Sequence, residues 1–467
     1  MALLTKRRAK PLAVTSFALL LLTLRAAAGC GTPPTAGDSG APPETPRADA
    51  QTDSAIPVSR DASTPTESGP TDAAGTSDSS ELGDVATGDA SPVAPPGPWD
   101  LLSSNYSHTC ATTTNGGLYC WGSNFYGELG LRPRGVGTEK NKPNLVPSFP
   151  PVGQRIRLLA TRFSVTCAVL SPSEELYCWG ENSGGYLGVG TNPGFNPEFA
   201  SVTTPTRISG FPSGQTIASL TLGFWYGCAK LSPSGSLSCW GRTEWSDTTY
   251  PPSQAPHEVP NFPPPGTTIQ EVVTPGDTEA CARVAPTNQV FCWSKATGGL
   301  DSAPLPMTAP AIVPDTSVAL LSSSGLSRVC AQLVPSGSIG CWWTNKIVQR
   351  VQPVLPAGAT VERMRVSGGS NVSSTHVCYV ASSNAIYCWG DNSNGELGLG
   401  PGAPFAVSTP TPIPSFPPAG QRPELQDACT ILRPSNRIYC WGKNYSGVAG
   451  VGTTTAVLSP TEVLPPP

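Results

Sequence analysis

From about residue 98 onward, short apolar runs alternate with clusters of proline, glycine, serine and asparagine. Thr216–Leu222 alternates with the period of two that places every second side chain on one face of a strand. The runs recur in a fixed order. A proline-bearing edge piece comes first, as in TPTRI at 204–208, PHEV at 256–259 and TPTPI at 409–413. An alternating apolar run follows, and then two apolar runs separated by a tight turn. Asn115-Gly116, Ser232-Pro233-Ser234-Gly235 and Pro335-Ser336-Gly337 supply those turns, so each such pair of runs predicts a β-hairpin.

The first 97 residues follow a different pattern. Lys6, Arg7, Arg8 and Lys10 precede an apolar stretch at 11–24, PLAVTSFALLLLTL, which is short for a membrane span of about 20 residues. A basic start, a short apolar core and small residues at 26–29 describe a secretory signal peptide over 1–29. Cys30 follows directly. This resembles the bacterial lipoprotein processing box, and the resemblance implies lipidation of Cys30. Ordinary cleavage near Ala28 is the alternative and would release a soluble secreted protein. Residues 30–97 contain no aromatic side chain, and 31–97 carry eleven acidic residues against Arg47 and Arg60. Such a segment buries too little apolar surface to offset chain entropy, so it is expected to be a disordered tether. As a flexible coil it would span about 45 Å.

Fourteen of the fifteen cysteines fall into seven pairs. Cys110 goes with Cys120, Cys167 with Cys178, Cys228 with Cys239, Cys281 with Cys292, Cys330 with Cys341, Cys378 with Cys388 and Cys429 with Cys440. The pairs are either local disulfides or thiol sites, and an export signal decides for disulfides. Around a tight hairpin, two cysteines at this spacing come nearly opposite each other on adjacent strands. A bulge is expected to absorb the one-residue difference in spacing. The second cysteine of every pair precedes a tryptophan: Trp121, Trp179, Trp240, Trp293, Trp342, Trp389 and Trp441. A period near 50 residues built of short strands means a propeller or a solenoid.

Four repeats keep a longer phrase: LYCWGSNFYGELGL at 118–131, LYCWGENSGGYLG at 176–188, IYCWGDNSNGELGLG at 386–400 and IYCWGKNYSGVAGVG at 438–452. With HTCA at 108–111, these resemble repeats of the regulator of chromosome condensation family. The resemblance implies an all-β, seven-bladed propeller of four-stranded blades over 98–467. It also raises guanine-nucleotide exchange on a small GTPase as an alternative function. The first hairpin has no edge piece before it, and residues 460–463 have no hairpin after them. The C-terminal strand is therefore expected to complete the first blade and close the ring.

Charge and chemistry narrow the function. Charged residues make up 13% of the chain and the formal net charge is −4, without the basic stripe that nucleic acid demands. No catalytic, cofactor-binding or metal-ligating set is legible. Glu174-Glu175 fits a solvated turn. Glu128, Asp391 and Glu396 fit repeat loops, and His108 and His376 fit structural positions. An enzyme with a site built across several blades is the weaker alternative. The expected role is a monomeric, non-enzymatic, envelope-anchored scaffold held to the membrane through Cys30, with a protein or glycan partner at the cell surface. Candidate contacts are Phe125, Tyr126, Tyr186, Trp225, Tyr226, Trp245, Tyr250 and Tyr445, since aromatic residues dominate binding hot spots. The position two before each first cysteine holds His108, Val165, Tyr226, Glu279, Arg328, His376 and Asp427, a second candidate ring.

Overall fold

The computed structural model describes residues 97–466 except 136, 191–200, 242–252, 277–278, 294–304, 307–316, 325–327, 344–345, 369–373 and 428. The expected signal peptide, Cys30 and all of the expected tether but Gly97 lie outside the described residues.

Seven four-stranded antiparallel sheets follow one another along the chain, each built from four consecutive strands. They are the blades of a seven-bladed propeller. The first strands are Trp99–Ser104, Arg155–Arg162, Thr216–Leu222, Thr268–Val273, Ser317–Ser323, Val361–Gly368 and Arg422–Leu425. A central channel is lined by these strands and the residues just after them, such as Ser103, Thr161, Thr221, Val272, Ser322 and Asp427. Second and third strands form the hairpin, and the fourth is the outer edge.

Every hairpin places its two cysteines directly opposite each other. Cys110 faces Cys120 in the first blade, Cys167 faces Cys178 in the second and Cys228 faces Cys239 in the third. Cys281 faces Cys292, Cys330 faces Cys341, Cys378 faces Cys388 and Cys429 faces Cys440 in the remaining four. All seven pairs form disulfides, one per blade, as the spacing and the export signal together predict. The expected bulge is absent from the hairpins, whose registers run without a shift. The extra residue lies in the turn: 114–116 separates Thr113 from Gly117, whereas 171–174 separates Leu170 from Glu175. A turn absorbs an insertion without flipping the side chains on either strand, which a register change would do.

The strand order along the chain corrects the expected closure. Each proline-bearing edge piece follows its own hairpin and does not open the next repeat. The last strand, Val457–Glu462, pairs with Arg437–Gly442 in the seventh blade, with Glu462 opposite Tyr439. The first blade has its own outer strand, Lys140–Leu145. Among the described residues, no strand is exchanged between the ends of the domain. Pro143, Pro205, Pro256, Pro410 and Pro460 sit on outer strands, where a missing N–H removes no ladder bond and discourages edge pairing.

Packing closes the ring. Among the described residues, seven apolar clusters each draw on two neighbouring blades. One joins blade seven to blade one through Ile431, Ile438 and Val457 against Trp99, Leu102 and Trp121. The tryptophans after the second cysteines are buried in these layers. Each can remove about 150–250 Å² from water.

The repeated phrase explains the contact between blades. In its loop, Asn124, Asn182, Asn392 and Asn444 each accept, through Oδ1, the backbone N–H five residues on, at 3.2, 3.0, 3.1 and 2.8 Å. The loop so formed carries the glycine six residues after the asparagine onto the tryptophan of the next blade: Gly130 onto Trp179, Gly188 onto Trp240, Gly398 onto Trp441 and Gly450 onto Trp121. At Gly450, φ is +70° and an added Cβ would lie 2.6 Å from Trp121 Nε1. Only glycine fits that approach. The fifth blade lacks the phrase. Its third strand ends at Trp343 and its fourth begins at Lys346.

Candidate functional site

The hairpin register defines two faces. His108 pairs with Gly122 at one end of the first hairpin and Thr112 with Leu118 at the other. The turns between first and second strands therefore share an end with the long connections between third and fourth strands. This is the loop face. The hairpin turns and the connections between blades occupy the opposite face.

All six described aromatic candidates lie at the loop face. Phe125 and Tyr445 are exposed, at 43% and 67%. The Tyr445 hydroxyl reaches Asn394 Oδ1 of the neighbouring blade at 2.6 Å. Tyr126 and Trp225 are half-buried. Tyr186 and Tyr226 are buried, and the Tyr226 hydroxyl donates to the Glu279 carbonyl, so both rings are committed to packing. Trp245 and Tyr250 lie outside the described residues.

The turns between first and second strands supply the aromatics that sequence reasoning missed. Tyr106, Phe163 and Phe224 come from blades one, two and three and form one row. Tyr106 meets Phe163 edge-on at 5.3 Å, and Phe163 lies 3.9 Å from Phe224 between ring centroids. Trp225 continues the row at 4.7 Å from Phe224. Phe163 is buried beneath the row, while Tyr106 is 57% exposed. The sequence carried a signal for them, because each stands four residues before a first cysteine.

Tyr106, Phe163 and Phe224 form one wall of a cavity of about 330 Å³ that opens at the loop face beside the channel. Blades six and seven form the other wall with His376, Asp391, Glu396, Asp427, Trp441 and Lys443. Two members of the ring before the first cysteines, His376 and Asp427, thus meet in one place. The other five do not line the cavity.

The two histidines at equivalent positions differ sharply. His108 is fully buried; its Nδ1 hydrogen-bonds with the Phe163 carbonyl at 3.0 Å and its Nε2 with the Thr166 hydroxyl at 2.7 Å. Burial pushes its pKa down to about 3, so it stays neutral. This is the structural role expected of it. His376 is 7% exposed, and among the described residues neither ring nitrogen has a hydrogen-bond partner. Burial also pushes its pKa down, against Asp427, Glu396 and Asp391, which favour the charged form.

The carboxylates of the loops are held in place. Glu128 accepts from the Ser123 hydroxyl and the Tyr126 N–H, each at 2.7 Å, and Glu396 accepts the Asn394 N–H at 2.7 Å. Asp427 accepts the Ser367 hydroxyl from the neighbouring blade. On the channel side, Asp427 lies within electrostatic range of Arg162 and Arg365. The Arg162 guanidinium lies 5.5 Å from the Phe163 ring centroid. Glu174 and Glu175, on the opposite face, pair with Arg157 and Arg207.

The fold is a seven-bladed propeller, and parts of the chain match a known repeat. Models of the Regulator of chromosome condensation (RCC1) repeat match residues 100–128, 115–158 and 371–396. The chain is 28% identical over 202 residues to the Ultraviolet-B receptor UVR8 of Arabidopsis thaliana, covering 43% of this chain and 42% of that protein. It is 30% identical over 146 residues to the human E3 ubiquitin-protein ligase HERC2, covering 31% of this chain and 3% of that protein. The chain thus spans less than half the length of either relative. Among solved structures, Prp20p of Saccharomyces cerevisiae superposes with a TM-score of 0.59 at 18% identity, covering 79% of this chain and 86% of that one. Human WBSCR16 superposes with a TM-score of 0.58 at 15% identity, covering 74% and 94%. These likenesses show the fold.

Proposed function

We propose that this protein is an exported, envelope-anchored, non-enzymatic binding propeller that grips a protein partner with its loop face. The observation that carries this reading is the aromatic row Tyr106–Phe163–Phe224–Trp225, drawn from three successive blades to the rim of one cavity. Exposed Phe125, Phe405 and Tyr445 extend apolar surface across the same face. Contiguous apolar surface of this kind marks interaction sites, and rigid aromatic anchors lose little entropy on binding. Seven disulfides fit an oxidising compartment, as export requires. The sequence around Cys30 supplies the anchor.

Immobilised full-length protein tests the reading against surface proteins and a glycan array. The expected result is a protein ligand held by wild type and by the opposite-face variant Val152→Ala, and lost in Tyr106→Ala/Phe224→Ala. Retention by the double variant, or a ligand found only on the glycan array, would overturn it. Metabolic labelling with a palmitate analogue is expected to mark wild type and not Cys30→Ser.

A further inference from the structure

We infer that the cavity between the aromatic row and blades six and seven is a socket for a positively charged side chain, arginine or lysine, presented by the protein partner. The inference rests on the binding role proposed above for this face.

Three features of the cavity point to that chemistry. The first is charge. Asp391, Glu396 and Asp427 line the wall against one lysine, Lys443. The propeller as a whole carries equal numbers of acidic and basic residues over 98–467, so this concentration is local. At Tyr106 the charge is mixed, with Arg162, Glu181 and Glu128 all within electrostatic range. Arg162 and Arg365 lie within electrostatic range of Asp427 from the channel, and Asp427, Glu396 and Asp391 all act on His376 in the cavity wall.

The second is the opposite wall. Aromatic faces attract cations, and a guanidinium stacks on them better than an ammonium does. The row already shows this, because the Arg162 guanidinium lies 5.5 Å from the Phe163 ring. A cation seated between Tyr106 or Phe224 and the carboxylates meets a π face on one side and negative charge on the other.

The third is His376. It is 7% exposed, lines the cavity, and has no hydrogen-bond partner on either ring nitrogen among the described residues. A buried polar group without a partner is unfavourable. A neutral imidazole has one acceptor nitrogen, and an N–H donor from a guanidinium or ammonium is the complement it lacks. The volume suits the proposal, since about 330 Å³ holds one long side chain at the small end of ligand-site sizes.

The test is a ligand-observed NMR titration of the full-length protein with N-acetyl-arginine amide, N-acetyl-norleucine amide and N-acetyl-glutamate amide. The arginine amide is expected to bind with a Kd on the order of 1 mM, as befits so small a ligand. Asp427→Asn should weaken it about tenfold, and Lys443→Ala should tighten it about threefold by removing the competing cation. Tyr106→Ala alters an exposed side chain and should also weaken binding, which guards against a misfolded Asp427 variant. The inference falls if the arginine amide does not bind, if either other amide binds as well, or if these variants leave its affinity unchanged. Partner capture by Asp427→Asn through the aromatic row would then leave the proposed function standing.

Discussion

The Trp121 indole N–H donates to the Val448 carbonyl at 2.9 Å, across the seam between the last blade and the first. Thr109 donates to the same carbonyl at 3.0 Å. Trp441 makes the equivalent bond to the Glu396 carbonyl at 3.0 Å, within the ring. The seam is therefore held by the same contact as an interior interface.

Gly450 is the seam's most sensitive position. Gly450→Ala should lower stability by about 2–4 kcal/mol, combining left-handed backbone strain with overpacking against Trp121. Gly235→Ala is the control, because its φ is +73° but its added Cβ meets nothing within 4 Å. It should cost only about 1–2 kcal/mol. Urea unfolding measures both, and equal costs would remove the steric contribution of the seam.

Removing one staple has a definite expected effect. Cys110→Ala/Cys120→Ala opens a loop with a sequence separation of 10. It should cost about 2–3 kcal/mol in the chain-entropy account. The far-UV circular dichroism spectrum should be unchanged, because the hairpin register also rests on its ladder and on Trp121.

Asn444 organises the loop that carries Gly450. It is fully buried, accepts the Ala449 N–H at 2.8 Å, and donates to the carbonyls of Thr453 and Thr455 at 2.9 and 3.0 Å. Asn444→Ala strands those groups and should cost about 1–3 kcal/mol. Hydrogen exchange at the Ala449 amide should accelerate more than at Leu397, whose partner Asn392 is intact.

Acid should weaken the fold through His108. Its pKa is about 3 in the folded chain and about 6.5 in the unfolded one. Between those values the unfolded chain binds the extra proton, so stability falls as pH falls. The contribution is fully present above about pH 6.5 and is lost progressively toward pH 3. Buried Glu128 and Glu271, whose pKa values burial raises, act in the opposite sense. His108→Gln should be less stable than wild type at pH 7, and the gap should shrink between pH 6.5 and 4. A gap in Tm that stays constant across that range would count against this account.

The cysteine and tryptophan repeats made the blade number and the disulfides legible, because each hairpin must bring its two cysteines opposite each other. Asn124, Asn392 and Gly450 were legible as a motif, although their purpose, to cap the next blade's tryptophan, needed the structure. The phase of the blades was not legible. A repeating order of edge, run and hairpin reads equally well as run, hairpin and edge, and only the pairing of Val457–Glu462 with Arg437–Gly442 decides. The cavity was hidden for another reason. Tyr106, Phe224, His376 and Asp427 lie in different blades and far apart in the chain, and ring closure alone brings them to one mouth.

The position of the seven disulfides carries a last consequence. Each joins the second and third strands of one blade. Covalently the domain is a string of seven small loops and not a closed circle. A single backbone cut in a connection between blades, such as 209–215, would leave two fragments with no covalent bond between them. In denaturant without reductant they would separate, each keeping its own loops intact. The ring can thus be opened at any joint by one protease cleavage, while every blade stays locked against unravelling.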